Sequence, residues 1–211
     1  MMLNFNILGE AFYMKRKILV VLIICVFLVF GGYKVVTNTN INQNHEIGEV
    51  LDSFDSVSVY YNGGVNHVLE RNVTKDGYNL GLKYQCVEFV KRYYYQHLNH
   101  KMPDSYGHAK DFFNFNLSDG ELNKQRNLIQ YRNGGKSPPE IGDIFVYKAS
   151  ITNPYGHVAI VSGVDFSKSE IEIIQQNPGP FSDSREIYSI EHKDGKWFVI
   201  NKRVLGWLHK I

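Results

Sequence analysis

"KYQCVEFVKR", residues 83–92, decides how the rest of the chain is read. It holds the one cysteine outside the N-terminal apolar run, where a polar loop gives way to an aromatic-rich pattern. Val87, Val90, Tyr94 and Leu98 recur at helical spacing, while Glu88, Lys91, Arg92 and Gln96 fall largely on other faces. This predicts a helix over 86–98 with Cys86 in its first turn. Gly81 and the polar residues before it end whatever precedes.

Working outward towards the C-terminus, "GHAKDFFNF" (107–115) predicts a second helix, and strand patterns follow. "DIFVYKA" (143–149) comes after the rigid turn "SPPEIG", and "HVAIVSGV" (157–164) after "NPYG". "EIEIIQQ" (170–176) alternates and stops at Asn177-Pro178-Gly179, and "KWFVINKRVLGWLHK" (196–210) supplies one or two more strands. Helices first and strands afterwards predict an α+β fold, with a helix packed on an antiparallel sheet.

Upstream, Lys15, Arg16 and Lys17 precede an apolar run from Ile18 to Phe30 that weakens through Gly31, Gly32 and Tyr33. A basic flank before such a run keeps residues 1–17 in the cytoplasm and sends the rest across the membrane. The run is short against the ~20 apolar residues a spanning helix needs, and its length also suits a signal-peptide core. Val29-Phe30-Gly31 is a poor cleavage site. "LIIC" (22–25) is no lipoprotein site, because Ile24 occupies the position of a small residue. Residues 18–36 therefore read as an uncleaved signal-anchor, with a cleaved signal peptide as the alternative. Residues 1–13 look unlike any targeting signal. Codons for Gly9-Glu10 can form a ribosome-binding sequence just ahead of Met14, so 1–13 read as an untranslated leader with Met14 as the start, and Met1 as the alternative start. An intact native peptide spanning Tyr13–Met14 would refute that. The Asn-rich stretch that follows has no period; residues 37–48 read as a linker and 49–211 as the domain.

The 211 residues are 44% hydrophobic and 21% charged, enough for one globular domain plus an appendage and unlike a disordered chain. The net charge is +2, and no Lys/Arg cluster is interleaved with stacking aromatics, so composition argues against a nucleic-acid partner. Core filling accounts for most of the 13 Phe and 14 Tyr.

Cys86 has several readings. A lone cysteine is commonly core. A disulfide has no second half in the domain, since Cys25 lies within the apolar run. Metal binding needs further ligands at suitable spacing, and no C-x-x-C or H-x-x-x-H occurs. As a nucleophile, a thiol in a helix's first turn feels the positive dipole end, and a nearby imidazole lowers its pKa from about 8.5. Of the eight histidines, His157 suits that role: a Pro-Tyr-Gly turn precedes it and it opens a strand. His97 and His100 suit a helix C-terminus, His45 lies in the linker, and His67, His108, His192 and His209 read as exposed. "QQN" (175–177) returns an amide beside His157 if the two strands pair as a hairpin. Residue chemistry alone leaves both core filler and nucleophile open.

"YQCVEFVKRYY", "NGGKSPPEIGDIFVY", "GHVAIVSGV" and "IIQQN" together resemble, in order, the motifs of the CHAP domains. These are cysteine- and histidine-dependent amidohydrolases/peptidases of the NlpC/P60 superfamily. The resemblance covers about Val57 to Asn177. It implies a papain-like fold with Cys86 as nucleophile, His157 as general base, and Gln175 and Asn177 completing the catalytic set. Gln85 and the Cys86 backbone N–H become oxyanion-hole candidates. Gln175 departs from the family pattern, where many relatives carry a Glu, and a neutral amide cannot stabilise an imidazolium by charge. In style, "QCVEFVKR" and "SVSVYYNGGV" (56–65) resemble the glutathionylspermidine amidase domain. The apolar N-terminus instead places the domain outside the cytoplasm, where peptidoglycan peptides are the abundant amides. The resemblance thus implies a thiol amidase or peptidase acting on a cell-wall peptide, with no metal or organic cofactor and a membrane as the N-terminal partner. A polyamine-conjugate amidase and a non-catalytic CHAP-like binding module are the alternatives. Nothing in the sequence sets the oligomeric state.

Overall fold

The computed structural model describes the backbone of residues 3–150 and 153–211, and side chains from residue 12 onward. Met1 and Met2, part of the expected leader, lie outside the described residues. A long helix, α1 (Leu3–Asn38), precedes strands β1 (Val50–Phe54) and β2 (Val57–Tyr60), which form an antiparallel hairpin. A second hairpin, β3 (Arg71–Val73) and β4 (Asn79–Leu82), leads into helix α2 (Cys86–Gln96). A short 3-10 helix follows at Ala109–Phe112, then β5 (Glu121–Asn123), β6 (Leu128–Arg132), β7 (Ile144–Tyr147), β8 (His157–Asp165) and β9 (Glu170–Ile174). The chain closes with β10 (Arg185–Lys193), β11 (Lys196–Val199) and β12 (Val204–His209).

Strands β5 to β12 form one antiparallel sheet in the order β11-β10-β9-β8-β7-β12-β6-β5. Alternation along a strand sends successive side chains to opposite faces. On one face Ile144, Val146, Val158, Ile160 and Leu208 pack with Phe89, Val90, Tyr93 and Tyr94 of α2. Phe145, Ala159, Val161, Ile173 and Trp207 form a second apolar cluster on the other. Strands covered on both faces read as continuous apolar runs, which is why β7 and β8 were legible. The α+β architecture with a helix on an antiparallel sheet is as expected.

Glu88, Lys91 and Arg92, on the polar side of α2, are buried, because Glu88 pairs with Arg92 at 2.6 Å and the Lys91 ammonium donates to the carbonyls of Asn79 and Ser105. One expectation needs correction. The second helix is a single 3-10 turn. At Phe113 the backbone becomes extended, and the Asn114 N–H donates to Gln130 Oε1 at 2.8 Å rather than continuing a helix.

Part of the segment read as a linker, residues 37–48, packs on the domain. Helix α1 runs on to Asn38, and Thr37 and Asn42 are buried against the domain. The Thr37 carbonyl accepts the Asn66 N–H at 2.7 Å, Asn42 Nδ2 donates to the Pro180 carbonyl at 2.7 Å, and Tyr61 Oη donates to Asn40 Oδ1 at 2.9 Å. Short polar side chains that suit solvent also suit backbone carbonyls. A Cβ at Gly64 would lie 2.6 Å from the Thr37 carbonyl oxygen, so only glycine admits this approach. Within α1, the 27 residues Phe12–Asn38 are long and apolar enough to cross a membrane, or to serve as a signal sequence.

Candidate active site

Backbone geometry delivers Cys86 to the start of α2. Tyr84 adopts a left-handed φ of 64°, Gln85 is extended, and the helix begins at Cys86. Amides in a first helical turn have no intrahelical acceptor. Cys86 is buried in one cluster with Val158 of β8, and the backbone N–H groups of Val158, Val87 and Cys86 favour its thiolate. Val158 follows His157, so this packing brings the start of α2 against the start of β8. Gly156, just before His157, has a φ of +76°, and a Cβ there would lie 2.7 Å from the Tyr147 carbonyl oxygen.

His157 Nε2 lies 2.9 Å from Gln175 Oε1, and Gln175 Nε2 donates to the Asp183 carbonyl at 3.2 Å. A carbonyl accepts only, so the second bond fixes which end of the amide faces the ring. His157 therefore donates from Nε2 and keeps its lone pair on Nδ1. The β8–β9 pairing creates this contact, as expected from the hairpin reading. Glu172 turns elsewhere, to Ser162 Oγ at 2.8 Å and Arg185 at 2.7 Å.

Asn177, with a left-handed φ of 56°, donates from Nδ2 to the Val65 carbonyl at 2.9 Å and to Gln85 Oε1 at 2.8 Å. Gln85 Nε2 donates to the His67 carbonyl at 2.6 Å. Gln85 and Asn177 thus lock the loop ahead of the cysteine, and Asn177 bonds that loop rather than the His157 ring. Sequence reasoning passed over Gln176, which is fully buried. Its amide nitrogen donates to the Gln85 carbonyl at 3.0 Å and Glu88 Oε2 at 2.9 Å, and its oxygen accepts the Tyr60 N–H at 2.8 Å. The only signal was the doubled glutamine at a strand end.

Burial dominates the electrostatics. It pushes the Cys86 thiol up to about 11, against the three N–H groups that favour thiolate. It pushes His157 down to about 4, with Gln175 opposing and the Arg203 charge assisting. The helix-dipole expectation of a lowered thiol pKa is therefore reversed in the free site: desolvation disfavours both charged forms. The other histidines divide. His100 is buried with Nε2 2.8 Å from the Arg126 carbonyl, and half-buried His209 pairs with Asp143 at 2.8 Å. His108 is exposed as expected but borders the Cys86 cavity. Among the described residues no cluster of three His, Cys, Asp or Glu side chains is gathered as metal ligands would be.

Comparison with known proteins places the site in context. The CHAP domain family model matches residues 75–177. Trypanothione synthetase of Crithidia fasciculata is 31% identical over 150 residues, covering 66% of this chain and 22% of that protein. Glutathionylspermidine synthase of the same organism is 30% identical over 140 residues, covering 61% of this chain and 19% of that protein. The chain thus spans about a fifth of the length of these relatives. The solved structure of Ly7917 aligns with 35% of this chain and 28% of its own, at 29% identity and a TM-score of 0.27.

Proposed function

We propose that this chain, whose residues 75–177 match the CHAP domain family model, is a thiol amidohydrolase whose nucleophile is Cys86 and whose base is His157. The observation that carries this is the packing of Cys86 and Val158 in one buried cluster, which sets the start of α2 beside the residue after His157, whose imidazole is held by Gln175. His157 Nδ1 takes the thiol proton as sulfur attacks the amide carbon. The Cys86 N–H and the remaining N–H of Gln85 receive the oxyanion. The imidazolium then protonates the leaving amine, and the neutral ring activates water to release the acyl group. With both groups neutral at rest, proton transfer accompanies attack instead of preceding it.

Peptidoglycan peptides are the substrate this reading favours. Its support is α1, whose basic flank and apolar length suit a domain held outside the cytoplasm. The names of the two relatives favour a second substrate, a glutathionylspermidine-type amide. The test is to incubate the full chain in detergent, with a Cys86→Ala control, with peptidoglycan and with glutathionylspermidine, and to read the products by mass. New muropeptide ends absent from the control support the wall reading. Spermidine release supports the second. Identical products from chain and control would refute catalysis and favour a binding module.

A further inference from the structure

Two neighbouring cavities share Val65 and Asn153 in their walls; Cys86 lines one and His157 the other. The cavity on the Cys86 side has a volume of about 390 Å³, and that on the His157 side about 510 Å³. The second is walled by Glu186 and Tyr188 of β10, by Asn201 and Arg203 of the β11–β12 turn, and by Val36 and Thr37 at the end of α1. We propose that the His157 cavity holds the leaving half of the substrate, and that Arg203 there binds a carboxylate carried by the departing amine. The substrate class is then an amide whose amine half is an amino acid or peptide, not a polyamine. This rests on the amidohydrolase reading and narrows it.

The first step is stereochemical. A departing amine takes its proton from the His157 ring, so its nitrogen must come within hydrogen-bond reach of that ring. The cavity that His157 lines then offers room for the atoms beyond the nitrogen.

The second step is charge. Arg203 is exposed and has no ion-pair partner among the described residues, whereas Arg92 and Arg185 are both paired. Its charge is felt at both His157 and Tyr147, within the cavity. Its backbone is fixed on both sides: its N–H donates to Asn201 Oδ1 at 2.9 Å, and its carbonyl accepts the Lys148 N–H at 2.9 Å. The guanidinium therefore projects from a rigid base with its donors unspent, which suits bidentate recognition of a carboxylate. Glu186, the other charged side chain lining the cavity, already accepts the Tyr188 hydroxyl at 2.7 Å. A polycation entering here meets one engaged carboxylate and one free like charge, an arrangement that selects against it.

The test is direct binding to the full Cys86→Ala chain in detergent micelles, by titration calorimetry, with glycylglycine, glycylglycinamide and spermidine as probes. The expected result is that glycylglycine binds at least about tenfold tighter than its amide and tighter than spermidine. Arg203→Gln should erase the acid-over-amide preference, and Arg203→Lys should retain part of it. Because Arg203 is exposed, neither change threatens folding. Equal binding of acid and amide, a preference that survives Arg203→Gln, or spermidine binding most tightly would overturn the proposal. Muropeptide hydrolysis by the unsubstituted chain is scored separately: its absence alongside a carboxylate preference removes the hydrolase and leaves the subsite, and the converse removes the subsite alone.

Discussion

The Gln175 amide bridges His157 Nε2, at 2.9 Å, and the Asp183 carbonyl, at 3.2 Å, so one neutral side chain sets both the orientation and the tautomer of the imidazole. Gln175→Glu keeps an acceptor for the ring and adds a charge that favours imidazolium, but turns one oxygen towards the Asp183 carbonyl. Hydrolysis should be preserved or raised, and Cys86 alkylation should move to lower pH. Gln175→Ala should cost about 100-fold in kcat with little change in KM, since the ring loses its orientation. Initial rates across pH for both variants check this; a large loss in Gln175→Glu would count against the arrangement.

His157 also ties stability to pH. Its folded pKa, pushed down to about 4 by burial, lies below the value near 6.5 of an unfolded histidine. Between these values the unfolded chain binds the extra proton, so stability rises with pH and is lost as pH falls from 6.5 towards 4. The interval corresponds to about 3 kcal/mol. Cys86 acts at the other end: its raised pKa, about 11 against 9, removes stability as pH rises through that interval. Urea midpoints at pH 4.5 and 7, on an order-of-magnitude scale, should differ more for the unsubstituted chain than for His157→Asn. A difference unchanged by the substitution would refute this source.

The fold was legible where chemistry and periodicity coincide. Cys86, Val90 and Tyr94 announced α2, and the apolar runs Ile144–Tyr147 and Val158–Val161 announced the central strands. Strands β1 to β6 and β10 were not read, because they are short or carry polar residues such as Asp52, Asn79 and Gln130 whose partners are remote in sequence. Asp52, for example, is paired with Arg185 at 2.9 Å. In the site, the His157–Gln175 contact followed from hairpin register. Gln176, Arg203 and the docked end of α1 did not, since each depends on tertiary contacts that no local pattern encodes.

Gln176 joins the segment that follows β9, which carries Gln175, to the helix that begins at Cys86. Replacing it with Met keeps volume but leaves the Tyr60 N–H and the Gln85 carbonyl without this partner, and removes a donor to buried Glu88. Stability should fall by about 3 kcal/mol. Chemical denaturation reads that loss, and a change below about 1 kcal/mol would show that water or rearrangement replaces those bonds.

The end of α1 is held by contacts specific enough to break one at a time. Gly64→Ala would set a Cβ 2.6 Å from the Thr37 carbonyl oxygen and 2.9 Å from its carbon, both backbone atoms that cannot swing aside. Asn42→Ala removes the bond to the Pro180 carbonyl without creating a clash. Both changes should loosen residues 37–47 from the domain, and Gly64→Ala should do so more strongly. Hydrogen exchange followed by mass spectrometry should show the Asn66 amide, bonded to Thr37 in the parent, exchanging at least about tenfold faster in Gly64→Ala. Because Val36 and Thr37 wall the His157 cavity, the same variant should raise KM for a cleaved substrate with little effect on kcat. Faster exchange with unchanged KM would mean that the segment braces the domain without bounding the substrate. Unchanged exchange would mean that Thr37 does not hold the position described.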